Sequence, residues 1–118
     1  MINKGKGKLV GLNPDLLRVV LLACDIYPGK VNISEGLRTE EQQKVYFETG
    51  RSQTMKSKHL VGDAVDMYPI SPDGKSIDWK SFRCLADSMF IAAKEENVNI
   101  VWGGHWKSFK DEPHFELK

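Results

Sequence analysis

Two short clusters far apart in the chain constrain its fold more than any other feature. One is Ser57-Lys58-His59-Leu60-Val61-Gly62-Asp63-Ala64-Val65-Asp66, and the other is Asp111-Glu112-Pro113-His114-Phe115-Glu116. They supply two histidines and a carboxylate of the kind that binds zinc, with a further carboxylate, Asp111, just ahead of His114. Zinc in hydrolases takes three protein ligands from His, Asp or Glu and keeps a fourth position for water, whose pKa falls from about 15.7 to about 7. For His59, Asp66 and His114 to form such a set, the fold must carry the C-terminal segment back beside the middle of the chain. Gly62 and Ala64 are small enough to let the intervening loop turn.

Each residue has a plainer reading when taken alone. His59 would be a surface histidine in a polar loop, Asp66 a carboxylate satisfied by backbone donors at a strand end, and His114 a packed strand histidine. Their shared spacing favours the metal set. Asp111 before Pro113 could be a turn residue; beside a metal-held water it could accept a proton and pass it to a leaving amine. Glu112 is offset in direction and is the weaker base. Glu116 shares the His114 face and can serve as hydrogen-bond partner to a ligand histidine. His105 follows two glycines outside the clusters, so it could replace Asp66 in a three-histidine set or have no metal role. Trp102 and Trp106 flank that Gly-Gly loop, and at least one is expected to shape a cleft; Trp79 opens an amphipathic helix and is expected in the core.

Around these clusters the chain alternates helical and extended patterns. Asn13-Pro14 starts a helix in which Leu16, Leu17, Val20, Leu21 and Cys24 follow at helical spacing, and which ends near Tyr27-Pro28-Gly29. Val31 to Glu35 alternates as a half-buried strand, and Thr39-Glu40-Glu41-Gln42 forms a capping box for a second helix closing at Gly50. Arg51 to Lys58 is a polar, basic loop. Ala64 to Tyr68 is a strand placing Ala64, Asp66 and Tyr68 on one face. Asp78 caps a third helix running to about Asn97, with Phe82, Leu85 and Met89 inward. Asn99 to Trp102 and His114 to Leu117 are short strands. Without a regular βαβ rhythm, the pattern predicts an α+β fold with a small, mainly antiparallel sheet and about three helices.

Composition excludes several function classes. A chain of 118 residues with 41% apolar and 28% charged residues matches a single domain, 1–118, with residues 1–8 expected as a flexible basic lead-in. No apolar run reaches the roughly 18 to 20 residues of a membrane span. The basic N-terminus lacks the apolar run and small-residue cleavage site of a secretory signal. A net charge of +1 argues against a dedicated nucleic-acid binder. Cys24 and Cys84 lack CxxC spacing and are expected as buried free thiols, with a disulfide the minority reading.

Ser57-x-His59-x-x-Gly62-x-Ala64-x-Asp66, followed by Asp111-x-Pro113-His114-Phe115-Glu116, resembles the M15 family of zinc peptidases. Glu35-Gly36-Leu37-Arg38-Thr39 and Gln43 match an upstream stretch of that family, so the likeness covers roughly residues 31–118. The resemblance implies a DD-peptidase/Hedgehog-like fold, Zn2+ held in a cleft by His59, Asp66 and His114, and Asp111 as general base. It also implies that Arg38 faces the oxyanion or a substrate carbonyl, with Ser57 and Gln43 near substrate. At Trp102-Gly103-Gly104-His105-Trp106, relatives more usually carry aspartate where His105 stands.

The resemblance further implies a peptidoglycan endopeptidase cutting the L-alanyl-D-glutamate bond. It would act as a phage or prophage endolysin, a monomer made in the host cytoplasm and reaching the wall with help from a holin. The alternatives are a D-alanyl-D-alanine carboxypeptidase and, from another class, a non-catalytic zinc-stabilised wall-binding or tail module.

Overall fold

A computed structural model of the chain, describing residues 1–52 and 57–118, contains a five-stranded sheet and three α-helices among those residues. In chain order the elements are β1 (Ile2–Lys4), α1 (Pro14–Ile26), β2 (Lys30–Glu35), α2 (Glu40–Glu48), β3 (Ala64–Ile70), α3 (Phe82–Glu95), β4 (Ile100–Trp102) and β5 (His114–Leu117). The sheet order is β1-β2-β3-β5-β4, antiparallel at every pairing except β1 with β2. This is the mainly antiparallel α+β architecture expected.

The core lies on one face of the sheet. Helix α1 starts as its residue types dictate, with Asn13 Oδ1 accepting from Asp15 N at 2.9 Å and Pro14 at the first helical position. It buries Leu16, Val19, Val20 and Ala23 against α3, which contributes Phe82, Leu85, Met89 and Ala92. Both join a cluster with Val31 and Ile33 of β2, Val65 and Met67 of β3, and Phe115 of β5. Because side chains alternate along a strand, burying these residues turns Asp66, His114 and Glu116 to the opposite face. The ladder aligns them: Val65 pairs with Phe115, Asp66 with His114, and Ala64 with Glu116.

A bulge in β2 adjusts that second face. Ile33 pairs with Met67, yet Glu35 pairs with Asp66, so the strand gains a residue between them. In regular register Glu35 would oppose Val65 and point to the core; the extra residue sets it beside Asp66 instead. Re-aiming a side chain near a site is a common use of bulges.

Four expectations change. Residues 1–8 are not a loose lead-in: Ile2 pairs with Val31 and Lys4 with Asn32, and Lys6–Leu9 forms a 3-10 turn leading to the buried Leu9. Alternating lysine and glycine hid a segment with few apolar anchors. The third helix begins at Phe82 rather than at Asp78, because Asp78 is tied back to the end of β3. Its N–H donates to Pro69 O at 2.9 Å, and its carboxylate accepts from Ser81 Oγ at 2.7 Å. Trp79, on that turn, is 66% exposed with its ring near Phe82, not in the core. Cys24 and Cys84 are both free, but only Cys24 is buried; Cys84 lies on the solvent side of α3. The expected loop from Arg51 to Lys58 falls partly on residues 53–56, outside the described ones.

Candidate active site

Strands β3 and β5 bring Asp66 and His114 together directly, and His59 arrives from the 3-10 turn Lys58–Val61 just before β3. Ser57 Oγ caps that turn by accepting from His59 N at 3.2 Å. Gly62 ends it in a left-handed conformation, φ +75°, where a Cβ would also lie 2.6 Å from Gly11 O. Only glycine fits both conditions.

His59 is 2% exposed. Its Nδ1 lies 2.8 Å from Gly36 O, which can only accept, so Nδ1 carries the hydrogen and Nε2 presents a lone pair. That Nε2 lies 3.3 Å from Asp66 Oδ1 and has no hydrogen-bond partner. His114 is arranged similarly: Nδ1 is 3.2 Å from the same Asp66 oxygen, while Nε2 meets Glu116 Oε1 at 2.8 Å.

These residues fit a metal ion on chemical grounds. One donor atom from each of His59, Asp66 and His114 lies within 4.8 Å of the others. A buried lone pair left unsatisfied is costly unless something positive meets it. Metal-binding histidines commonly donate their remaining N–H to a carbonyl or carboxylate, the roles Gly36 O and Glu116 fill here. The set can therefore hold a metal ion.

Opposite charges at the site favour one another. Burial pushes the Asp66 carboxyl up, but His114 and His59 outweigh it and hold the group well below the usual carboxylate range. Burial likewise disfavours a charged His114 ring, yet Asp66 and Glu116 prevail and raise its pKa.

A cleft of about 390 Å³ opens over this set, and Arg38, Ser57, Trp106 and Asp111 line it with the three donors. Asp111 is held by its backbone: its N–H donates to Gly103 O and its carbonyl accepts from His114 N, both at 3.1 Å. A Cβ at Gly103 would come within 2.3 Å of Asp111 O, so glycine lets the two segments touch. Burial raises the Asp111 pKa and the Asp66 charge adds to it, against the pull of His114, His59 and Arg38.

Arg38 is 8% exposed and held from behind. Nε and Nη2 donate to the two carboxylate oxygens of Glu35 at 2.6 and 2.7 Å, and Nη1 donates to Gln43 Oε1 and, at 3.5 Å, to Ser57 Oγ. Gln43 is itself fully buried on α2, whose capping box at Thr39 and Gln42 is present as expected. Lys58 Nζ pairs with Glu116 Oε2 at 3.1 Å, which steadies the partner of His114.

The remaining predicted residues separate. Trp106 lines the cleft with its ring 5.2 Å from that of His114. Trp102 is buried and donates Nε1–H to Glu112 O at 2.6 Å, bracing the Asp111 segment from outside the cleft. His105 is exposed, stacked near Phe90 and edge-on to Trp102, and not among the cleft residues. Sequence reading missed Tyr46, Arg51 and Phe109 as cleft residues and Glu35 as the partner of Arg38. Gln43 and Tyr46 stand three apart on a helix and so share a face, a signal that could have found Tyr46.

A family model described as phage L-alanyl-D-glutamate peptidase matches residues 1–117. The L-alanyl-D-glutamate peptidase of Escherichia phage T5 is 32% identical over 117 residues, covering 94% of this chain and 83% of that protein. The enzyme of the same description from Listeria phage A118 is 41% identical over 88 residues, covering 75% of this chain. This chain spans only 30% of the length of that Listeria phage protein. Among solved structures, the Serratia marcescens L-Ala D-Glu endopeptidase ChiX superposes with a TM-score of 0.91 at 37% identity, covering 100% of this chain and 90% of ChiX. The D,D-dipeptidase VanXYg superposes with a TM-score of 0.57 at 15% identity over 90% of this chain and 50% of its own, a likeness of fold alone. With the family model matched across almost its whole length, the chain belongs to the phage L-alanyl-D-glutamate peptidase family.

Proposed function

We propose that this protein is a zinc-dependent endopeptidase that hydrolyses the L-alanyl-D-glutamate bond in the peptide stem of bacterial peptidoglycan. The observation that carries this reading is the buried, unpartnered His59 Nε2, which meets His114 Nδ1 and Asp66 Oδ1 in a cleft that also holds Asp111. The shared family supports the choice of bond.

His59, Asp66 and His114 would hold the zinc. When bound there, zinc supplies Lewis-acid polarisation of the scissile carbonyl and lowers the pKa of the attacking water. The Asp111 carboxylate takes a proton from that water and delivers it to the leaving amine nitrogen. Glu35 and Gln43 orient the Arg38 guanidinium, which stabilises the charge developing on the carbonyl oxygen; one such contact is worth about 2.7 to 4 kcal/mol of barrier. Ser57 ties Arg38 to the His59 turn, and Trp106 forms an apolar wall beside His114.

In this reading the protein is a monomeric phage or prophage endolysin, made in the host cytoplasm and delivered to the wall with the help of a holin. Peptidoglycan is its partner; nucleic acid is not. No helix among the described residues is long and apolar enough to cross a membrane.

Chromatography of defined muropeptides after digestion tests the proposal. New ends at L-alanine and D-glutamate are expected; release of free D-alanine alone would replace the endopeptidase with a carboxypeptidase. Chelation should abolish wall lysis and zinc should restore it, and full activity in metal-free protein ends the metal reading.

A further inference from the structure

Three cationic side chains apart from the histidines line the cleft, and two are neutralised within the protein. Arg38 is held by Glu35, and Lys58 by Glu116 and by Leu117 O. Arg51 has no carboxylate within ion-pair distance among the described residues. It is nevertheless positioned: its guanidinium lies over the Tyr46 ring, 4.4 Å from the centroid. The Arg38 guanidinium lies 4.7 Å from the same centroid, so one aromatic ring gathers two cations at the cleft, and of the two only Arg38 has a carboxylate, Glu35, in direct ion-pair contact among the described residues. Like charges gathered this way favour an anion beside them, and a guanidinium laid on a ring presents its N–H edge outward for a carboxylate. Arg51 also lines an adjoining polar cavity of about 270 Å³, which shares Glu35, Tyr46 and Asp66 with the main cleft.

The proposed substrate carries a matching anion. D-Glutamate has two carboxyl groups and only one can continue the stem, so the other remains free a few bonds from the scissile carbonyl. Resting on the endopeptidase reading above, we propose that Arg51 is a specificity residue that binds this free carboxylate of the D-glutamyl unit, with Tyr46 as its platform. Arg38 acts at the scissile carbonyl and Arg51 at the neighbouring carboxylate, and their common contact with Tyr46 sets the spacing between them. A stem in which this carboxyl is amidated keeps the shape and loses the charge-assisted hydrogen bonds.

The test compares two synthetic stem peptides, one with the free carboxylate and one with the carboxamide, using zinc-loaded wild type, Arg51→Met and Arg51→Lys. Wild type should prefer the carboxylate by about 10- to 100-fold in kcat/KM, the range expected for hydrogen bonds to a charged group. Arg51→Met should lose most of that preference, chiefly by raising KM for the carboxylate peptide, and Arg51→Lys should restore part of it. Zinc content and thermal midpoint report separately on folding; a variant that loses both is replaced by Tyr46→Leu, which removes the platform and should also lower the preference. Equal cleavage of the two peptides by wild type, or equal losses on both in Arg51→Met, overturns the Arg51 assignment and leaves the endopeptidase reading standing. Failure of wild type to cut either peptide between alanine and glutamate overturns both.

Discussion

Asp66 and His114 stand directly opposite each other in the β3–β5 ladder, and their side chains meet at 3.2 Å on the face of the sheet away from the core. This pair anchors the site to regular structure, so its geometry depends on strand register and not on a loop. A one-residue slip of either strand would turn its member of the pair toward the core. His59 is then the member of the set that a turn must deliver, and Gly62 and Gly36 O are built around it.

Glu116 holds the outer nitrogen of His114, so Glu116→Ala should weaken zinc binding by about 10- to 100-fold while leaving the ligands in place. Competition with a chromophoric chelator measures this. Activity should return at high zinc; unchanged affinity would show that the contact at 2.8 Å has no bearing on the metal.

Among the described residues the Asp111 carboxylate makes no hydrogen bond to the side chains of His59, Asp66 or His114, so Asp111→Ala should separate metal binding from turnover. The expected result is full zinc occupancy, by elemental analysis, with kcat lowered about a hundred- to ten-thousand-fold. Wall lysis equal to wild type would remove Asp111 from the mechanism.

Gly103→Ala places a methyl group 2.3 Å from Asp111 O, where backbone must yield. Overpacking of this kind costs about 1 to 3 kcal/mol. Chemical denaturation should show that loss, and kcat should fall because Asp111 moves with its backbone. Retained kcat with lowered stability would mean the segment adjusts without moving the carboxylate.

The two thiols should behave differently. Exposed Cys84 should react rapidly with a thiol reagent in the folded protein, and Cys24 only after unfolding. Burial pushes the Cys24 pKa up to about 11. A raised folded value means the contribution to stability is complete below the unfolded pKa of about 8.5 and declines as pH rises toward the folded value. Cys24→Ala should flatten the fall in stability between about pH 8.5 and 11, as followed by denaturant titration; an unchanged slope would assign that fall to other groups.

Local signals explain what could be read in advance. Asn13-Pro14 and the Thr39 capping box act within one turn of chain, and both helix starts were legible from residue type. Period-two alternation placed Asp66 and His114 on strand faces before any pairing was known. The start of α3 was not legible, because Asp78 N–H is claimed by Pro69 O, a contact between segments that propensity does not register. Trp79 was misplaced for a related reason: its neighbour Phe82 fills the core and leaves the tryptophan outside.

What the sequence by itself determined is the set of chemical groups: two histidines, Asp66, Asp111 and Arg38, carried on three short segments far apart in the chain. The tertiary structure decided which groups support them. Glu35 faces the site only because β2 carries a bulge, Trp102 and Trp106 part company only because the Gly103 turn packs on Asp111, and Arg51 reaches the cleft through Tyr46. The physical reason is range. Capping and alternation are fixed by neighbours in the chain, whereas a bulge, a close backbone approach or a shared ring depends on which distant segments burial of the core forces together.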